Sequence, residues 1–150
     1  LKDIQDYIGN TAWNIMDGQG FDMKQYTMFF TEFWVQEFSK NGGGHHDTHI
    51  HWDNHISGFY FLKCSEKTSF PLFHDPRPGA LMTKLPLKDK SQVSFGQDIV
   101  NYRPKPGTMI FFNSYMPHQY AVDDGVEPFR FIHFNIQAVR NMIIEGVKRL

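Results

Sequence analysis

Apolar positions recur at spacings of three and four through the start of the chain, at Leu1, Ile4, Ile8, Ala12 and Met16, and predict an amphipathic helix over residues 1–16. Gly18-Gln19-Gly20 ends it. Residues 26–40 then form a run rich in Phe, Trp and Val, and Asn41-Gly42-Gly43-Gly44 breaks the run with residues that tolerate positive φ, so a strand and a turn are expected. Residues 56–63 predict a second strand and 69–73 a short third. Asp75-Pro76-Arg77-Pro78-Gly79 reads as a turn, because proline cannot donate to a ladder. Residues 92–102 predict one or two further strands, Pro104-Lys105-Pro106-Gly107 a turn, 108–112 an apolar strand and 129–139 the last. Residues 140–150 read as a closing helix, with a further strand as the alternative. About seven short strands with regular turn signals and one clear helix point to an antiparallel sandwich or small barrel.

Composition supports a β core and limits the partners. The chain has 150 residues, 41% apolar, which suits one domain over 1–150. Fifteen phenylalanines dominate the aromatic content, and aromatic side chains fill pleated, half-buried surfaces well. With 15 basic against 16 acidic residues there is no overall field to recruit nucleic acid or a membrane surface, and no apolar run approaches the ~20 residues of a bilayer span. A single cysteine, Cys64, excludes an internal disulfide and fits a reducing, cytoplasmic setting. There is no signal-peptide pattern, and the chain opens on leucine, as a sequence missing upstream residues would.

The histidines change the picture. Five of the eight lie close together: His45, His46, His49, His51 and His55. Imidazole is the commonest metal ligand, and residues i and i+2 of a strand share a face, so His49 and His51 can point into one cavity. A third ligand must come from another strand, and His118, at the loop end of an apolar strand, fits. A face of two histidines and one carboxylate with open positions marks non-haem iron oxygenases, and His51-Trp52-Asp53 offers that alternative. Only two residues separate Asp53 from the next strand, whereas four follow His51. The pair is therefore read as His49 and His51, with Asp53 kept as a candidate ligand. The plainer reading is a solvated histidine-rich loop. Arg130 lies in the apolar run Phe129-Arg130-Phe131-Ile132-His133-Phe134-Asn135, where burial would call for a carboxylate partner. A dicarboxylate cosubstrate would supply one; an ion pair with Glu127, Asp123 or Asp124, or outward exposure, is the alternative.

Ordered blocks from Trp34 to Ala138 resemble the iron(II) and 2-oxoglutarate-dependent oxygenases, in particular a group found in bacteria, phages and marine sequences. The blocks are Trp34-Val35-Gln36-Glu37, His49-Ile50-His51, Ser57-Gly58-Phe59-Tyr60-Phe61, Phe73 with Asp75-Pro76-Arg77, Pro106-Gly107 through Phe111-Phe112 to Pro117-His118, and Arg130 to Phe134-Asn135. Prolyl hydroxylases are similar in arrangement. The resemblance implies a double-stranded β-helix (a jelly roll, cupin-like) with an N-terminal helix, binding Fe(II) through His49, His51 and His118. It implies a dioxygenase that hydroxylates its substrate while 2-oxoglutarate becomes succinate and CO2. It puts His51 where such enzymes carry aspartate, and Arg130 on the far carboxylate of 2-oxoglutarate, with Tyr60 and Tyr102 as hydrogen-bond partners of that cosubstrate. One departure stands out: relatives place this arginine one residue further from the Phe-Asn pair, with serine two positions after it. On a strand that offset turns Arg130 outward unless a bulge restores it. Asp75 and Arg77 are expected to fix a turn or pair with each other, His74 and His133 to pack or sit at the rim, and Cys64 to be inert. Two rivals remain: a three-histidine, cupin-like dioxygenase taking no 2-oxo acid, and a non-catalytic jelly-roll module with or without a structural metal.

Overall fold

The computed structural model describes residues 1–82 and 84–141. Helix α1 (Lys2–Gly18) buries Ile8, Ala12 and Met16, the stripe expected from the sequence, and ends where Gly20 takes a φ of 96°. After a short 3-10 turn the chain is almost wholly β. The strands are β1 (Tyr26–Phe38), β2 (His46–His49), β3 (Ile56–Lys63), β4 (Pro71–His74), β5 (Ile99–Asn101), β6 (Met109–Asn113), β7 (His118–Tyr120) and β8 (Phe129–Arg140), with a short helix α2 (Pro78–Met82) between β4 and β5. They form two four-stranded antiparallel sheets, ordered β1-β8-β3-β6 and β2-β7-β4-β5. This is a jelly-roll arrangement with one N-terminal helix.

Alternation along β8 sorts the core into two compartments. Phe134, Ile136 and Ala138 face outward and are covered by Ile8, Ala12 and Met16 of α1. Phe129 and Phe131 face between the sheets, where they join Phe38, Phe59, Phe61 and Tyr120 in an aromatic cluster. Gly58 lets β3 lie close to β8: a Cβ there would come within 2.2 Å of the Phe134 ring and 2.4 Å of the Ile110 carbonyl oxygen. At the far end the tight turns after β1 and before β8 interlock, with Gly42 at φ 80° and Gly125 at φ 70°.

Several elements differ from the expected pattern. Asp75–Gly79 is not one turn but leads into α2, with Arg77 ion-paired to Asp75. Only Ile99–Asn101 of the expected 92–102 strands pairs, against β4, since Ser94, Gly96 and Gln97 turn instead. Two three- and four-residue strands, β2 and β7, carry too little apolar pattern to be seen in the sequence. The expected closing helix falls largely on residues 142–150, outside the described residues.

Candidate metal centre

Pairing of the short strands β2 and β7 sets His49 directly opposite His118. His51 comes from just beyond β2 rather than from a continuous strand, and its backbone N–H is held by the Ser114 carbonyl at 3.0 Å. The ligand atoms of His49, His51 and His118 all lie within 4.8 Å of one another. His51 Nε2 and His118 Nε2 are 3.3 Å apart. Two ligands on one ion, with bonds of about 2.1 Å separated by 90–109°, stand about 3.0–3.4 Å apart, so this spacing suits a shared metal.

The ring nitrogens are oriented for that purpose. His118 Nδ1 meets the Met116 carbonyl at 2.9 Å and His49 Nδ1 the Asp47 carbonyl at 2.6 Å. A carbonyl only accepts, so each Nδ1 carries hydrogen and each neutral ring offers the lone pair of Nε2. Burial pushes the His118 pKa down to about 4, with His49, His133 and His46 adding to the fall and the Met116 bond opposing it. His51 is pushed down to about 3, first by burial and then by His133, His118, His49 and His46. Both therefore stay neutral at neutral pH, His118 with a free Nε2 lone pair and His51 with Nδ1 accepting from Asn135 Nδ2 and its hydrogen on Nε2. The rings of Phe112, Phe59 and Phe73 surround His118, with centroids 4.6, 5.8 and 6.1 Å away, and shield it from water on that side.

Asp53 is not part of this group; it is exposed, in the left-handed region at φ 58°, on the turn that leads into β3. The residues expected to meet a cosubstrate do not converge here either. Arg130 alternates with Phe129 and Phe131 and so faces outward, where it pairs with Glu37 of β1 and lies opposite Lys63. The bulge in this region lies on β3, between Phe61 and Lys63, not on β8, so nothing turns Arg130 inward. The inward position one residue earlier is Phe129, fully buried. Tyr60 pairs with Ile132 on that same outer face, and Tyr102 is an exposed residue past the end of β5.

Other residues fill the space beside His51, and none of them was expected at the site. Asn135 Nδ2 lies 3.0 Å from His51 Nδ1 and 2.7 Å from Glu32 Oε2, while Ser57 Oγ donates to Asn135 Oδ1 and shares a hydrogen with Ser114 Oγ. His133, expected to pack or sit at the rim, is buried and bonded to Glu32 at 3.0 Å. The signal available was alternation: Glu32, Ser57, His133 and Asn135 are polar residues at inward positions of otherwise apolar strands.

The sequence profile of the family described as "Putative 2OG-Fe(II) oxygenase" matches residues 32–135, which run from Glu32 at the metal-side network to Asn135 within it. The chain belongs to this family. Among curated proteins no sequence matches it. A crystal structure described as an oxidoreductase of the 2OG-Fe(II) oxygenase family from Burkholderia pseudomallei is similar in fold, with a TM-score of 0.55 at 11% identity. The likeness covers 75% of this chain and 46% of that one, so this oxygenase-family chain spans about half the length of that structure. The family is one of iron(II) and 2-oxoglutarate users, and the donor set fits iron: three imidazole nitrogens gathered at one end of the jelly roll. The dicarboxylate fits less well, because β8 turns aromatic rings, not a cation, toward the interior beyond His133.

Proposed function

We propose that this chain is an iron(II)-dependent oxygenase whose metal is bound by His49, His51 and His118. The observation that carries the reading is the 3.3 Å approach of His51 Nε2 to His118 Nε2, with the His49 ligand atom inside the same 4.8 Å cluster. Iron(II) held by His49, His51 and His118 would supply the oxygen-activating chemistry for insertion into a substrate bond. The chain's own part is to aim the Nε2 lone pairs of His49 and His118 at one point, through the carbonyls of Asp47 and Met116, with the His51 ring beside them. The phenylalanine wall around His118 keeps that side dry.

Family membership points to 2-oxoglutarate as cosubstrate, but the residues assigned to it by resemblance do not fit. Arg130 is committed to Glu37 on the outer face, and Phe129 stands at the inward position. That observation favours a second reading, a three-histidine dioxygenase in which the substrate meets the metal without a 2-oxo acid. One experiment tests both. The full chain is loaded anaerobically with iron(II), its metal content is measured, and 2-oxoglutarate is titrated in. Stoichiometric iron that is lost in His118→Ala and His49→Ala supports the metal reading; iron unchanged in both variants overturns it. A metal-to-cosubstrate absorption band would restore 2-oxoglutarate, and its absence supports the second reading.

A further inference from the structure

We propose that Glu32, His51 and His133 form a second position for a divalent transition-metal ion, on the opposite side of the His51 ring from the first. It shares His51 with the site proposed above, yet does not require that site to bind iron. The ligand atoms of these three residues also lie within 4.8 Å of one another. His51 presents Nε2 toward His118 and Nδ1 toward Asn135 and Glu32, so with an ion on each side the ring gives up its one N–H proton to solvent and bridges the two positions as an imidazolate. His133 Nε2 and Glu32 Oε2 are 3.0 Å apart, and two ligands about 2.1 Å from an ion at right angles stand about 3.0 Å apart. The set is two histidines and one carboxylate, which supplies the anionic donor that the three-histidine group lacks.

Burial and access are suited to an ion. The His133 side chain is 4% exposed and that of Glu32 47%, so one ligand is fixed in the sheet and the other opens the position to solvent. Asn135 Nδ2 now occupies part of the space, bonded to both Glu32 and His51. Its amide has nearly the same shape when turned over, which would present Oδ1 to the ion as a further oxygen donor. Ser57 Oγ can follow the turn, accepting from Asn135 Nδ2 and giving its own hydrogen to Ser114 Oγ, which donates to it before the turn, so the Ser57 and Ser114 hydroxyls stay bonded.

The test is metal stoichiometry on the full chain, stripped by chelation, reloaded with Zn(II), desalted and measured by elemental analysis. Wild type is expected to retain two ions per chain, Glu32→Gln one, His118→Ala one, and the double variant none. His133→Asn is expected to match Glu32→Gln, and circular dichroism identifies any variant that fails to fold. Glu32→Gln is near-isosteric at a half-exposed side chain, so its folding is expected to survive. A single ion lost in Glu32→Gln but kept in His118→Ala would support this position and overturn the first. Glu32→Gln and His133→Asn that both keep the wild-type stoichiometry would overturn it, leaving the Glu32 network as scaffolding alone. A single ion lost in both Glu32→Gln and His118→Ala would overturn a separate second position.

Discussion

The inward face of β8 has two ends built for different ends. At Phe129 and Phe131 it is aromatic and sealed, with Tyr120 stacked 4.8 Å from Phe131 and every ring of the cluster away from solvent. At His133 and Asn135 it is polar and hydrogen-bonded: both meet Glu32, and Asn135 joins Ser57 and Ser114 to the ring of His51. Four residues of one strand thus run from a packed core to the edge of the candidate metal centre. The difference shows that alternation alone decides what faces the interior: a shift of one position put arginine outside and phenylalanine inside.

The largest effect is expected where the sealed end is opened. Phe131→Ala should destabilise the protein by about 3–5 kcal/mol, measured by urea denaturation, because the close-packed rings cannot collapse into the space. Asn135→Ala, at the polar end, should cost about 1–3 kcal/mol by leaving Glu32 and Ser57 short of partners. It should also weaken metal retention, which Phe131→Ala should not do in the folded fraction. If both substitutions lowered metal retention equally, the two ends would not be separate devices.

A smaller effect, of definite sign, comes from the histidines. His51 and His118 have pKa values of about 3 and about 4, below the ordinary 6.5. As pH falls, the unfolded chain therefore takes up protons before the folded one does. The metal-free protein should keep its full stability above 6.5, lose it progressively as pH falls toward about 4 to 3, and change no further from these groups below that. A urea midpoint lower at about pH 5 than at about pH 7.5, with a weaker decline in His118→Ala, is the expected result. A midpoint independent of pH across that interval would mean that the buried rings are not held neutral.

What the sequence made legible follows from the same alternation. The α1 stripe, β1, β3 and β8 are long and strongly patterned, and their places were readable. The three histidines were readable too, because imidazoles at His49, His51 and His118 have few reasons to cluster in an apolar chain. β2 and β7 were not readable: strands of four and three residues form because the sheet needs partners, not because their own pattern demands it. The Glu32 network was hidden for another reason. Its members come from β1, β3 and β8, and only register brings Glu32 level with Asn135. The face of Arg130 stays open in the sequence, since the offset from its relatives argues for an outward side chain and the resemblance for an inward one; the strand pairing turns it outward, onto Glu37.

Arg130 therefore supplies the smallest and sharpest prediction. Its pair with Glu37 is exposed on both sides, 40% and 52%, and exposed pairs contribute about 0.2–1 kcal/mol. Arg130→Ala should lower stability by no more than that, with the loss shrinking further in salt, because solvent and ions already screen the two charges. It should leave iron content unchanged, and leave unchanged whatever response 2-oxoglutarate gives. Phe129→Arg would place a guanidinium at the inward position, at a folding cost that only a bound dicarboxylate could offset. A 2-oxoglutarate response abolished by Arg130→Ala would mean that the strand turns in solution and that the outward face is not its working state. Without that loss, the inward side of β8 beside the candidate metal centre takes its chemistry from His133 and Asn135, with Glu32 of β1.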